Sequence, residues 1–148
     1  MKTIPSFTID HIRLLRGIYV SRKDQIGNEV VTTFDIRMTK PNGEPVMNTA
    51  EIHTIEHLAA TYLRNHKDFG NKTVYFGPMG CRTGFYFIVW GEPSIESIQD
   101  ALCRSLERVI VATEVPAANA VQCGNYRDLS LFGAQEYAKL VLQAFREK

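Results

Sequence analysis

The chain has 148 residues, 45% of them hydrophobic and 22% charged, with a formal net charge of +1. This composition suits one globular domain over residues 1 to 148 with a core of its own, and balanced charge without a basic run argues against nucleic acid or an anionic membrane surface as the partner. No run reaches the roughly 18 apolar residues of a membrane span, and the first ten residues hold no apolar signal region, so a soluble cytoplasmic protein is expected.

Residues 1 to 11 are mixed in character and broken by Pro5 and Ser6, which predicts an extended arm or short edge strand. Ile18 to Val20 is a short strand candidate, and the polar run Ser21 to Asn28 reads as a turn. Glu29 to Met38 alternates as a strand does, with Val30, Thr32, Phe34, Ile36 and Met38 on one face. Val31, Thr33, Asp35 and Arg37 take the other face. The Pro41-Asn-Gly-Glu-Pro45 cluster then ends the strand.

Asn48 is a suitable helix N-cap, with Glu51 three residues on to close a capping box. The helix that follows should stop near Phe69 and Gly70, where Gly70 can take the left-handed position. Ile52, Ile55, Ala59, Tyr62 and Leu63 form its apolar stripe. On a neighbouring face stand His53, Glu56 and His57, because positions three and four apart project from one side of a helix. Paired histidines at this spacing can give one divalent metal two nitrogen ligands, with the glutamate beside it as a proton carrier. The order H-x-x-E-H inverts the usual zinc-peptidase motif, and a third ligand has to come from elsewhere.

Thr73 to Phe76 and the apolar run Phe85 to Trp90 flank Gly77-Pro-Met-Gly-Cys81, which predicts an antiparallel hairpin with Cys81 near its turn. Ser94 caps a second helix reaching about Thr113 on Ile95, Ile98, Ala101, Leu102, Leu106, Val109 and Ile110. Val115 to Tyr126 reads as a loop carrying Cys123. A last helix begins between Asp128 and Ser130, with Leu131, Phe132, Tyr137, Leu140, Val141 and Phe145 as its apolar positions. Three helices with strands between them predict an α+β fold, an antiparallel sheet with helices packed on one face.

The three cysteines cannot all pair and form no CxxC. Cys103 lies at an apolar position of the second helix, where it serves as a small hydrophobe. His66 falls at the end of the first helix and should be solvated. Spacing leaves Cys81, Cys123, His11 and the acidic residues open as the third ligand.

The motifs His53-Thr-Ile-Glu56-His57-Leu-Ala, Gly77-Pro-Met-Gly-Cys81-Arg-Thr-Gly-Phe85 and Glu114-Val-Pro-Ala-Ala-Asn to Gln122-Cys123-Gly124 occur here in order. With Ser6-Phe7 to Asp10-His11 and Phe34-Asp-Ile-Arg37 before Pro41-Asn42, the chain resembles the LuxS family of S-ribosylhomocysteine lyases. The resemblance implies a metal held by His53, His57 and Cys123, with Fe(II) expected and zinc or cobalt able to substitute. It implies Cys81 and Glu56 as catalytic groups, and Ser6, His11 and Arg37 as substrate-binding groups. It also implies a homodimer with the active site at the interface, into which Ser6 and His11 reach from the partner. The reaction implied is cleavage of S-ribosylhomocysteine to homocysteine and 4,5-dihydroxy-2,3-pentanedione, the autoinducer-2 precursor, within the activated methyl cycle and quorum sensing.

Where many relatives carry Asp-Ile-Ser this chain has Tyr75-Phe76-Gly77, and Glu44 and Glu51 are candidates to supply the missing acid. Two other readings fit the helix motif alone. One is an inverzincin-like peptidase, which expects an acidic third ligand, and the other is a non-catalytic metal-binding module, which expects a closed four-ligand site.

Overall fold

The structure is a computed structural model that describes residues 1 to 147. Among these are four strands and three α-helices: β1 (Gly17–Ile26), β2 (Glu29–Arg37), α1 (Thr49–Arg64), β3 (Thr73–Pro78), β4 (Gly84–Trp90), α2 (Ile95–Val111) and α3 (Leu131–Arg146). A short 3-10 turn covers Pro5–Phe7, so the amino-terminal segment forms no edge strand and its extended backbone is interrupted after Ile4. All strand pairs are antiparallel, in the order β1-β2-β4-β3.

The β2–β4 register sets Phe34 opposite Phe87 and Ile36 opposite Phe85, on the face that the helices cover. Alternation sends Thr33, Asp35 and Arg37 to the other face with Ile88, Tyr86 and Gly84. Gly84 is required there, because a Cβ would overlap the carbonyl oxygen of Ile36 on the neighbouring strand. The core is continuous from this sheet face through Ile52, Ile55, Ala59 and Leu63 of α1 to Ile98, Leu102 and Leu106 of α2 and Val141 and Phe145 of α3. The arrangement is α+β with the helices on one sheet face.

Three local expectations are corrected. The turn predicted from Ser21 to Asn28 is confined to Gly27 and Asn28: β1 continues to Ile26 because its outer part is an exposed edge, where polar side chains cost nothing. Helix α1 ends at Arg64, with Asn65 as its cap. Gly70 lies beyond it without positive φ, and its lack of a Cβ instead permits close approach to the carbonyls of Arg64 and His66. On α3, Phe132 and Leu140 are exposed, and Ala134, Ala138 and Leu142 join Val141 and Phe145 at the core because small residues let α3 lie close to its neighbours. The capping contact at α1 is present through the Glu51 carboxylate, which accepts from the Asn48 N–H at 3.3 Å.

Candidate metal centre and reactive thiol

Helix α1 turns Ile52, Ile55, Ala59 and Leu63 into the core and leaves His53, Glu56 and His57 half-buried on its flank. The loop between α2 and α3 lies along that flank. It is fastened to the helix where the Thr49 hydroxyl donates to Asp128 Oδ1 (3.1 Å) and the Ser130 N–H donates to the buried Thr54 hydroxyl (2.8 Å). Further back in the loop, Asn119 Oδ1 accepts from the N–H groups of Val121 and Gln122, and the Asn119 carbonyl accepts from Cys123 N–H, each at 3.0 Å. These turns bring Cys123 to the histidines.

Cys123 Sγ lies 3.5 Å from His53 Nε2, and one ligand atom from each of His53, His57 and Cys123 falls within 4.8 Å of the others. The two imidazole rings stand edge to face with centroids 4.7 Å apart. His53 Nδ1 is 2.8 Å from the Asp128 carbonyl, and His57 Nδ1 is 2.8 Å from the Pro116 carbonyl. A carbonyl can only accept, so the proton of each neutral ring sits on Nδ1 and Nε2 keeps its lone pair. Histidine ligands are held this way by outer partners, and two Nε2 atoms with a thiolate form an open three-donor set. The observed S···N separation also fits, since ligands to a shared tetrahedral metal stand about 3.6 Å apart for these bond lengths. The residues therefore fit a divalent metal.

Cys81 belongs to a second cluster. It sits in the loop between β3 and β4, beside a cavity of about 530 Å³ lined by His11, Arg37, Pro41, Asn42, Glu44 and Thr83 among others. Arg37 is buried, with Nε 2.8 Å from Asp35 Oδ1 and Nη2 donating to Asp35 Oδ2 at 3.0 Å. Its Nη1 donates to Thr83 Oγ1 at 2.6 Å and lies 3.7 Å from Cys81 Sγ. Burial pushes the Cys81 thiol up, but hydrogen bonds from the Thr83 side chain and backbone, together with the Arg37 charge, outweigh it and hold the thiol below its ordinary value. For Cys103 burial prevails and the thiol is pushed up. Burial also raises the Asp35 carboxyl, against the pull of Arg37.

The remaining candidates separate clearly. Ser6 is exposed and borders a different cavity, with Ser21, Arg22, Asp24, Thr33 and Tyr86 on the sheet face away from the helices. His11 shares the Cys81 cavity, its Nδ1 within 2.9 Å of the Ile9 carbonyl. Glu44 is in that cavity too, paired with Arg16 at 2.9 Å, whereas Glu51 is occupied with the start of α1. The Tyr75 ring folds over Gly77, where its hydroxyl occupies the place a Cβ would take. His66 packs on Tyr62 and Phe69, away from the ligand group. No hydrogen bond or ion pair joins the metal-ligand group to the Cys81 cluster among the described residues.

Sequence reasoning overlooked Asp35 and Thr83. Asp35 could have been found, since it shares a strand face with Arg37 two residues away. Thr83 could not, because its bond to Arg37 spans 46 residues.

A family model described as S-Ribosylhomocysteinase (LuxS) matches residues 4–148. The S-ribosylhomocysteine lyase of Clostridium beijerinckii is 58% identical over 133 residues, covering 88% of this chain and 83% of that protein. That of Phocaeicola vulgatus is 59% identical over 127 residues, covering 85% and 79%. That of Porphyromonas gingivalis is 48% identical, covering 100% and 96%.

Proposed function

This chain belongs to the S-ribosylhomocysteinase (LuxS) family, and from that premise we propose that residues 1 to 148 form one lyase domain cleaving S-ribosylhomocysteine to homocysteine and 4,5-dihydroxy-2,3-pentanedione. It is a carbon-sulfur lyase. The observation that carries the assignment is the pair of clusters: a three-donor metal group beside Glu56, and a thiol lowered by Arg37 and Thr83. The peptidase reading expects an acidic third ligand, and the third donor here is Cys123.

The thioether of the substrate becomes labile only when a carbonyl stands β to sulfur, so the ribose carbonyl has to migrate along the chain before elimination. Each migration removes a proton from one carbon and returns one to its neighbour, which calls for two carriers of moderate acidity. Cys81 as thiolate is one, able to take a carbon-bound proton and return it. Glu56, on the flank of α1 beside His53 and His57, is the other and serves the sugar oxygens and the remaining carbon. His53, His57 and Cys123 would hold a divalent metal, Fe(II) by expectation with zinc or cobalt as substitutes, which would supply Lewis acidity to the sugar oxygens. His11 and Arg37 flank the thiol and bind substrate, Arg37 acting chiefly through Cys81 because Asp35 and Thr83 already engage its guanidinium. Ser6 joins the binding surface from the amino-terminal turn.

The active form is a homodimer in which the thiol cluster of one subunit meets the metal cluster of the other. The exposed apolar side chains of the amino-terminal segment, Phe7, Ile12 and Leu15, support this. The enzyme acts in the cytoplasm within the activated methyl cycle, and its product feeds autoinducer-2 signalling. No helix among the described residues is long and apolar enough to cross a membrane.

Because His11 lines the same cavity as Cys81, the two act from one subunit, and the informative hybrid pairs a thiol variant with a metal variant. Inactive Cys81→Ala mixed with inactive His57→Ala should regain activity through hybrid dimers. Random exchange at equal amounts gives one intact site in half the dimers, about a quarter of wild-type turnover. No recovery, with subunit exchange verified by mass spectrometry, refutes a site shared in this way.

A further inference from the structure

Thr83 stands between Arg37 and Cys81 with its hydroxyl in reach of both. It is 4% exposed, its carbonyl accepts from Met38 and Thr39 N–H at 2.9 and 3.1 Å, and its hydroxyl is 2.6 Å from Arg37 Nη1 and 3.1 Å from Cys81 Sγ. A guanidinium only donates, so the Thr83 oxygen accepts from Arg37 and retains one proton to place. Among the described residues, the Cys81 sulfur is the one acceptor in reach of that proton. If the thiol donated instead, the hydroxyl proton would be buried without a partner, an arrangement that folded proteins avoid.

We infer that Thr83 is a positioning residue for Cys81: Arg37 orients its hydroxyl, and the hydroxyl proton holds the sulfur as an acceptor facing the cavity. The direction of the relay is fixed from Asp35, which orients Arg37, through Thr83 to the sulfur. The other titratable groups around the cavity are His11 and Glu44, the latter paired with Arg16, while Arg82 in the same loop donates to the Met47 carbonyl. None of these is hydrogen-bonded to Cys81 among the described residues. The inference rests on Cys81 as the reactive thiol.

The test needs no substrate, so it stands apart from the lyase assignment. Metal-loaded protein is alkylated with iodoacetamide from pH 5 to 10, and the rate at Cys81 is read by peptide mass spectrometry, which separates it from Cys103 and Cys123. Thr83→Val keeps the shape and removes the hydroxyl. Its Cys81 profile is expected to move up by about one pH unit, a tenfold loss of rate below the midpoint. Thr83→Ser keeps the hydroxyl and should hold the wild-type midpoint. If Thr83→Val does not fold, Thr83→Ala against Thr83→Ser makes the same comparison. An unchanged midpoint on removing the hydroxyl, or an equal shift in Thr83→Ser, overturns the inference. Failure of the lyase assignment would show separately, as no thiol release from S-ribosylhomocysteine by the metal-loaded wild type.

Discussion

Replacing Asp35 by alanine strikes at the one buried ion pair of the chain among the described residues. The side chains of Asp35 and Arg37 are each 3% exposed, and the guanidinium cannot shed its charge. Asp35→Ala therefore leaves a buried cation whose remaining partners are the Thr83 hydroxyl and, when ionised, Cys81. Stranding one member of a buried pair typically costs about 3 to 5 kcal/mol. In a chain of this length each kcal/mol moves the melting temperature by about 3 °C, so a fall of about 10 °C is expected. Replacing both, as Asp35→Leu with Arg37→Met, removes the stranded charge along with the pair and should recover most of that loss. It should not recover the low Cys81 thiol, which depends on Arg37. Urea denaturation of the two variants and the parent, with the exposed Asp24→Ala as a control expected to change little, measures all three. A loss below about 1 kcal/mol for Asp35→Ala would refute the claim that the pair is desolvated.

Removal of a metal ligand and removal of a proton carrier should be separable. Cys123→Ala or His57→Ala should bind far less metal by elemental analysis, because two donors lose much of the chelate advantage, whereas Glu56→Gln should keep its metal and lose turnover. Full occupancy in Cys123→Ala would remove that residue from the ligand set. Cys81 should be alkylated faster than Cys103 at pH 7 to 8, since its thiol is held below the ordinary value and that of Cys103 is pushed above it. Equal rates would contradict the proposed effect of Arg37 and Thr83.

The parts of this molecule that could be read from the chain are those whose cause is local. The ligand helix is visible because the apolar period of Ile52, Ile55, Ala59 and Leu63 and the polar group His53, Glu56, His57 occupy different arcs of the same turns. Strand β2 is visible because β-branched residues fill its first half and Phe34 to Met38 alternate, which already places Arg37 opposite Phe34 and Ile36. The length of β1 was hidden, since an edge strand facing solvent has no apolar pattern to announce it. That Val115 to Tyr126 is a loop was legible, but the path that takes Cys123 to the histidines was not. Its course depends on the Asp128 and Pro116 carbonyls meeting histidines 75 and 59 residues away, contacts that leave no periodic trace. The resemblance gives Arg37 directly to substrate; Asp35 on the same strand face is a local hint that the guanidinium is already held, whereas the bond to Thr83, 46 residues away, leaves no trace in the sequence.

The proposed role of Cys81 as the proton carrier separates a lyase from a bare metal site, and one measurement addresses it directly. Metal-loaded wild-type and Cys81→Ala proteins are incubated anaerobically with S-ribosylhomocysteine while free thiol from released homocysteine is followed with a chromogenic disulfide. Metal content and thermal stability are measured on the same samples. The expected result is steady thiol release by the wild type and almost none by Cys81→Ala at equal metal content and unchanged folding. Thiol release by Cys81→Ala at close to the wild-type rate would contradict the mechanism, even with the His53, His57 and Cys123 site fully occupied.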